Sequence, residues 1–213
     1  MNNKVLMVVL LDRSGSMSSI QNDMIGGFNT FVQEQREDDL QKGSSTYCSL
    51  YRFDGVFESV FKQVPISDAD TVRLDHHNFQ PRGGTALIDS MVKCIDEVGR
   101  ELAAMPECFR PSKIVFISIT DGEENASVEF TNTILAERIR HQREKYNWQF
   151  VFLGANQDSF ANSGQLNINK ASTLNFAANS QSVNAAFQCV SRGMSAYKSA
   201  SPSDVYTLDQ ENV

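Results

Sequence analysis

The sequence predicts an α/β protein with a doubly wound, mostly parallel sheet, one antiparallel edge strand and helices on both faces. Three observations carry this prediction. Uninterrupted apolar runs at 5–11 and 114–119 are typical of strands buried on both faces. Stretches with helical spacing of apolar residues alternate with these runs. The turn Asp54-Gly55 joins two further strands into a hairpin, which reverses one strand at an edge of the sheet.

In chain order, the first strand at 5–11 leads through a short turn to a helix that begins near Ile20. Its apolar part gives way to a polar stretch at 34–42, and a loop follows at 43–45. The hairpin strands are expected at 46–53 and 56–64. Next comes a mostly polar connection at 65–80, in which the adjacent His76 and His77 are expected at the surface because neighbouring side chains of an extended chain diverge.

The second half repeats the alternation. The stretch 81–87 opens a helix, and a central strand covers 114–119. A further helix covers 130–145, and we expect its basic last turns to face solvent. A strand at 148–153 is followed by a short apolar pattern through Phe160 and Leu166, an edge strand at 172–176 and a final helix with Gly193 as a weak point.

Length and composition favour one soluble globular domain. The chain has 213 residues, of which 41% are hydrophobic and 21% charged. We expect a single domain at 1–200 and a loose polar tail at 201–213. The net charge of -7 argues against general nucleic-acid binding, which favours basic surfaces.

The four cysteines are scattered and form no C-x-x-C pair, so a zinc knuckle is not expected. Cys48 and Cys94 are interpreted as core residues. The first apolar run is too short for a signal peptide or a membrane span. We therefore expect a cytoplasmic protein with reduced thiols.

The turn after the first strand carries the candidate site. Asp12, Ser14 and Ser16 lie at the carboxyl end of a predicted central strand, where open α/β sheets bind ligands. A carboxylate and two hydroxyls are hard oxygen donors, which suit Mg²⁺ or Mn²⁺ better than zinc or copper. The alternative is that both serines serve only as turn and helix-capping residues.

Two later stretches add to this set. Thr85 follows Gly83-Gly84 at the start of a helix and is either a helix cap or a third hydroxyl for the same site. Asp121 ends the second central strand, although an Asp-Gly turn is common without a metal. If the two strands are neighbours, Asp12 and Asp121 can flank one cation.

Together the three loops resemble the von Willebrand factor A family. Asp12, Ser14, Ser16, Thr85 and Asp121 match its metal-ion-dependent adhesion site residue by residue, and the resemblance extends from about Lys4 to the final helix. It implies the Rossmann-like fold of that family. The stretches 83–87 and 152–156 look most like its bacterial and phage cytosolic members.

The resemblance also implies a function. In the family, the hydroxyls approach Mg²⁺, the aspartates bind it directly or through water, and a partner's carboxylate completes the shell. We therefore expect a divalent-metal-dependent module that captures an Asp or Glu side chain of a partner protein, without nucleic acid or membrane. Asp12 would orient bound water, and Glu123 and Glu124 would be solvated or would modulate the local field.

Two other classes of function were weighed. A Mg²⁺-dependent phosphatase-like hydrolase would use Asp12 as nucleophile, but Ser14 stands where such enzymes place a second acid. A nucleotide-binding domain is disfavoured because neither G-x-G-x-x-G nor a Walker A motif is present. No convincing catalytic set is found. The partner, the process and the oligomeric state stay open.

Overall fold

The computed structural model describes residues 4–155, 168, 170–201 and 203–208. Its strands are β1 (Lys4–Asp12), β2 (Ser45–Phe53), β3 (Phe57–Pro65), β4 (Lys113–Thr120), β5 (Gln149–Ala155) and β6 (Thr173–Phe176). Its α-helices are α1 (Gln21–Lys42), α2 (Leu87–Ala104), α3 (Asn132–Tyr146) and α4 (Ser180–Ser199). Short 3₁₀ turns cover Gly15–Ile20, Glu107–Phe109 and Lys170–Ser172.

The strands form one six-stranded sheet in the order β3-β2-β1-β4-β5-β6. Every neighbouring pair is parallel except β2 and β3, whose hairpin places β3 at an edge. β1 and β4 are direct neighbours, so Asp12 and Asp121 follow adjacent strands. The predicted fold class is confirmed.

Period-two alternation along the central strands produces two cores. Val5, Met7 and Val9 of β1 face one layer, and Leu6 and Val8 face the other. Helices α1 and α4 cover the first face, and α2 and α3 cover the second. A strand buried on both faces needs apolar residues at every position, which explains the uninterrupted run.

Helix α1 continues through the polar stretch that follows its apolar part and ends at Gly43, in a left-handed conformation with φ 65°. Its polar residues are used in tertiary contacts. Asp38 and Asp39 pair with Lys198 at 3.3 and 2.8 Å, and the side chain of Gln35 bonds Ser191. Packing against α4 therefore supports a stretch with little apolar periodicity.

The connection at 66–80 contributes to the hydrophobic core, although its composition is mostly polar. Four of its side chains are buried in the core that α1 covers: Ile66, Val72, Leu74 and Phe79. Isolated apolar residues at irregular spacing give no periodic signal, so the sequence could not assign them to the core. His76 and His77 are exposed, as expected.

The segment after α4 is not loose throughout. Tyr206 and Leu208 are 0% and 7% exposed, and Leu208 N donates to Ala171 O at 2.8 Å. The expected loose tail is therefore wrong for these two residues. Tyr206 packs beside Gly193, and its N–H donates to Gln149 of β5. The division at residue 200 stays a prediction, and the predicted pattern through Phe160 and Leu166 lies outside the described residues.

Within the described ranges, no helix is long and apolar enough to cross a membrane. All four cysteines are free thiols; Cys48, Cys94 and Cys189 are buried, and Cys108 is exposed. The core positions predicted for Cys48 and Cys94 are confirmed.

Candidate functional site

The turn after β1 holds a fully buried carboxylate. Asp12 Oδ1 accepts a hydrogen bond from Ser14 N at 2.6 Å, and Oδ2 accepts one from Thr120 Oγ1 at 2.6 Å. The first bond closes an Asx turn that lifts Ser14 and Ser16 above the strand end. The second ties the ends of β1 and β4 together. Thr120 had no role in the predicted site, because a single hydroxyl after an apolar strand carries no local sign of its partner.

Three hydroxyls from two loops converge beside Gly122, in the loop that follows β4. Ser14 Oγ lies 3.0 Å from Ser16 Oγ, and Ser16 Oγ donates to Asp121 Oδ1 at 2.6 Å. A Cβ atom added to Gly122 would lie 2.8 Å from Thr85 Oγ1 and 3.4 Å from both Ser14 Oγ and Ser16 Oγ. The structure thus brings the predicted Ser14, Ser16, Thr85 and Asp121 around one small space, which we call the hydroxyl cradle.

Thr85 is placed by backbone contacts and does not cap α2, whose N-cap is Ala86. Thr85 N donates to Asn125 Oδ1 at 2.9 Å, and Thr85 O accepts from Asn125 N and Ala126 N at 3.1 and 3.2 Å. The buried threonine is therefore held on both sides by the loop that follows β4. The capping alternative is not supported.

The carboxylate of Glu124 holds the same loop in place by accepting four hydrogen bonds. Its Oε2 accepts from Ile88 N at 2.8 Å and Ser127 Oγ at 2.7 Å, and its Oε1 accepts from Ala126 N and Ser127 N. Glu124 therefore joins the loop to the first turn of α2, where unpaired N–H groups favour a carboxylate. The neighbouring Glu123 is exposed. The two adjacent glutamates look alike in sequence, so this difference could not be predicted.

The β2–β3 hairpin closes the site on its other side through the backbone. Arg13 N donates to Phe53 O at 2.7 Å, and Arg82 N donates to Arg13 O at 2.6 Å. Gly15 N donates to Gly83 O at 3.1 Å, where Gly83 has φ 69°. A left-handed backbone of this kind favours glycine, which accounts for Gly83 in the loop that carries Thr85.

Burial dominates the electrostatics of the two aspartates. It raises the pKa of Asp12 to about 6, against the lowering effect of the hydrogen bonds from Thr120 and Ser14. Burial also raises the pKa of Asp121, which the hydrogen bond from Ser16 opposes. Each carboxylate is thus costly to keep charged, and a nearby cation would relieve that cost.

The donor set fits a small hard cation. Three hydroxyls and two carboxylates offer only oxygen, which matches Mg²⁺ or Mn²⁺. The cradle also has room for an ion, because Gly122 has no side chain and any other residue would place its Cβ among the three hydroxyls. In the part of the chain that the structure describes, no three His, Cys, Asp or Glu side chains cluster as metal ligands, so such a site would depend on hydroxyls.

The geometry does not favour Asp12 as a nucleophile. Its side chain is 0% exposed, and both of its oxygens accept hydrogen bonds of 2.6 Å. An attacking carboxylate oxygen needs free access to the substrate. The hydrolase alternative therefore gains no support from the arrangement of this residue.

A cavity of about 1030 Å³ lies elsewhere, between α2 and α3. Ile114 and Trp148, at the starts of β4 and β5, line it, so it opens at the end of the sheet opposite Asp12. Three of the basic residues predicted in α3 line it, namely Arg138, Arg140 and His141, and Arg138 pairs with Asp96 at 2.9 Å. This cavity is separate from the candidate site.

No protein-family model matches the chain, and no curated protein matches it. Solved structures do. The vWF domain of the type V pili tip protein Mfa5 from Porphyromonas gingivalis matches with a TM-score of 0.66 at 10% identity, over 94% of this chain and 98% of that chain. The von Willebrand factor type A protein from Catenulispora acidiphila matches with a TM-score of 0.59 at 15% identity, over 89% and 42%.

The pilus adhesin SpaC from Lactobacillus rhamnosus GG matches with a TM-score of 0.65 at 14% identity, over 90% of this chain and 30% of that chain. The chain thus spans less than half the length of two of these three proteins. At identities this low the similarity establishes the fold alone. The chain has the fold of von Willebrand factor A-type domains.

Proposed function

We propose that the chain is a divalent-metal-dependent protein-binding module that captures an Asp or Glu side chain of a partner. The observation that carries the proposal is the hydroxyl cradle, where three hydroxyls from two loops surround the open space beside Gly122 and the carboxylate of Asp121 adjoins Ser16. A pilus adhesin and a pilus tip protein among the similar structures support a role in protein binding.

The chemistry follows from the donor set. Ser14, Ser16 and Thr85 would hold Mg²⁺ or Mn²⁺ through neutral oxygens, with Asp12 and Asp121 binding directly or through water. Neutral ligands leave much of the charge of the cation uncompensated, so a carboxylate from another protein is a favourable further ligand. Asp12 is buried and doubly hydrogen-bonded, which suits it to orient the Ser14 turn and any water next to it.

We further propose that the protein acts in the cytoplasm. Its four cysteines are all free, and Cys108 is exposed, as is typical of proteins from a reducing compartment. Redox western analysis of the native protein tests this, because a disulfide-linked form in cells would contradict it.

Calorimetric titration with MgCl₂ and MnCl₂ tests the metal site. We expect binding to the wild type and a loss of affinity of about tenfold or more in Asp12→Ala and Ser16→Ala. Ser16 is exposed, so its variant should fold even if the loss of the buried Asp12 destabilises the protein. Asp96→Ala, on the surface near α3, is the matched control and should bind as the wild type does. Equal affinities across all four proteins would overturn the proposal.

The partner chemistry has its own test. A terminally blocked peptide with one aspartate among glycines should bind the protein in Mg²⁺ and dissociate on addition of a chelator. The same peptide with asparagine should not bind. Binding that persists in the chelator would contradict a metal-bridged carboxylate.

A further inference from the structure

A network of charged side chains lies beside the hydroxyl cradle. Arg13 and Arg82 share Asp54, with their Nε atoms 3.3 and 2.7 Å from Asp54 Oδ2. Arg13 and Arg52 share Glu58, at 2.5 and 3.2 Å from Glu58 Oε2. Three guanidinium groups thus face two carboxylates, so the network keeps one excess positive charge.

The excess charge is presented to solvent by Arg82. The side chains of Arg13 and Asp54 are only 2% and 5% exposed, whereas that of Arg82 is 58% exposed. Arg82 uses Nε for Asp54, and its two Nη groups make no hydrogen bond within the described residues. Arg82 therefore offers two parallel donors held in place by a buried acceptor, the geometry that binds a carboxylate in a bidentate manner.

The position of Arg82 relative to the cradle is fixed by the backbone. Arg82 N bonds Arg13 O, and Asp54 follows Phe53, the β2 residue paired with Asp12. Because neighbouring strands are about 4.8 Å apart, we expect Asp54, and the guanidinium that it holds, on the order of one to two strand spacings, ~5–10 Å, from the cradle. The loop after β4, on the other side of the site, carries the exposed Glu123 two residues after Asp121. The surface around the site is thus basic toward the hairpin and acidic toward β4.

From this asymmetry we propose that the partner presents two carboxylates, two residues apart in an extended segment. The inference rests on the proposed function: the first carboxylate completes the metal shell, and the second binds Arg82. Alternate side chains of an extended chain point to the same face and lie ~6.5–7 Å apart, which falls within the separation of the two groups. The segment runs from the cradle toward the β2–β3 hairpin, away from Glu123.

Three blocked glycine-rich peptides test this, containing Asp-Gly-Asp, Asp-Gly-Asn or Asn-Gly-Asp. In Mg²⁺, we expect the peptide with two carboxylates to bind the wild type up to about fivefold more tightly than either single-carboxylate peptide. The advantage should shrink at high salt, because exposed charge pairs are screened. In Arg82→Gln, the advantage should disappear while the affinity for Mg²⁺ alone is unchanged. Glu123→Gln, the control across the cradle, should keep the advantage.

The outcomes separate the two ideas. If single-carboxylate peptides bind in Mg²⁺ but a second carboxylate adds nothing, or adds as much in Arg82→Gln, the two-carboxylate inference is overturned and the proposed function stands. If no peptide binds the Mg²⁺-loaded wild type, both are overturned.

Discussion

At the scale of single residues, Gly122 decides whether the site can hold anything. The hydroxyls of Ser14, Ser16 and Thr85 point to the position where any other residue would place its Cβ. A glycine after a strand-end aspartate usually indicates a turn. Here it also keeps the cradle open, so one methyl group is enough to compete with a cation for the same space.

Gly122→Ala should therefore abolish Mg²⁺ binding or weaken it by more than about tenfold, because the new Cβ would lie 2.8 Å from Thr85 Oγ1. Circular dichroism should show an intact fold, and calorimetry measures the affinity. Gly55→Ala is the matched control, since no atom lies within 4 Å of its added Cβ. Wild-type affinity in Gly122→Ala would contradict a cation in the cradle.

Asp12 is a candidate metal ligand whose ionisation depends on the fold. Its pKa is raised by burial from 3.8 to about 6, so the folded metal-free protein binds a proton there more tightly than the unfolded chain does. The free energy of unfolding from this group therefore increases as the pH falls from about 7 to about 4. A bound cation would favour the charged carboxylate of Asp12, so the folded protein would then bind a proton there less tightly than the unfolded chain does.

The increase in melting temperature caused by Mg²⁺ should consequently be large at pH 7.5 and much smaller at pH 5, because protons compete for Asp12. Differential scanning fluorimetry with and without Mg²⁺ measures this. In Asp12→Asn, we expect no Mg²⁺-dependent increase at either pH. An increase of the same size at both values in the wild type would argue that Asp12 does not participate.

At the scale of elements, the loop after β4 is the part that positions the cradle. The carboxylate of Glu124 accepts hydrogen bonds from N–H groups of both the loop and α2. The side-chain oxygen of Asn125 accepts a hydrogen bond from the backbone N–H of Thr85. Both residues act by accepting bonds from backbone atoms of another element. Asp89 does the same from α2, where its carboxylate accepts from the N–H groups of residues 128–130 at 2.8 to 3.1 Å.

Glu124→Ala should lower both stability and metal affinity. Losing an acceptor for several partly buried donors costs about 1–3 kcal/mol. Displacing Thr85 should weaken Mg²⁺ binding by about tenfold. Urea denaturation and calorimetry measure the two effects. The adjacent Glu123→Ala removes an exposed side chain of the same kind and should change neither. Equal effects of the two variants would contradict the specific role of Glu124.

At the scale of the whole molecule, one end of the sheet carries the candidate site and the other contributes to stability. The ends of β1 and β4 carry the candidate site, while the C-terminal segment packs at the opposite end, where Tyr206 N donates to Gln149 Oε1 at the start of β5. Tyr206 OH donates to Val190 O at 2.8 Å, and a Cβ on Gly193 would lie 2.6 Å from that hydroxyl. Gly193, which the sequence marked as a weak point of the last helix, allows this close contact.

Tyr206→Ala should destabilise the protein by about 3–5 kcal/mol, the usual cost of removing a large buried aromatic side chain. Mg²⁺ affinity of the folded protein should be unchanged, because the site is at the other end of the sheet. The exposed neighbour Val205 provides the control, and Val205→Ala should be neutral. A neutral Tyr206→Ala would show that this segment does not stabilise the fold.

The strands, helices and hairpin could be predicted because each depends on local patterns. Apolar runs mark β1 and β4, and Asp54-Gly55 marks the hairpin, since burial and turn geometry act over a few residues. Asp12, Ser14, Ser16 and Asp121 could be proposed as oxygen-bearing residues at strand ends, and the resemblance to the von Willebrand factor A family added Thr85 at the start of a helix. Their binding of a metal remains a prediction.

The tertiary structure alone decided how the loops meet. Only folding brings Thr120 to Asp12, Asn125 to Thr85 and Arg82 to Asp54, over separations that no periodicity records. It also buried Tyr206 within a segment of polar composition. The physical reason is common to all four. In the local sequence, a polar residue that bonds to another loop looks the same as a polar residue in solvent, and a single aromatic residue in a polar tail gives no periodic signal. The partner of each is therefore specified only by the whole fold.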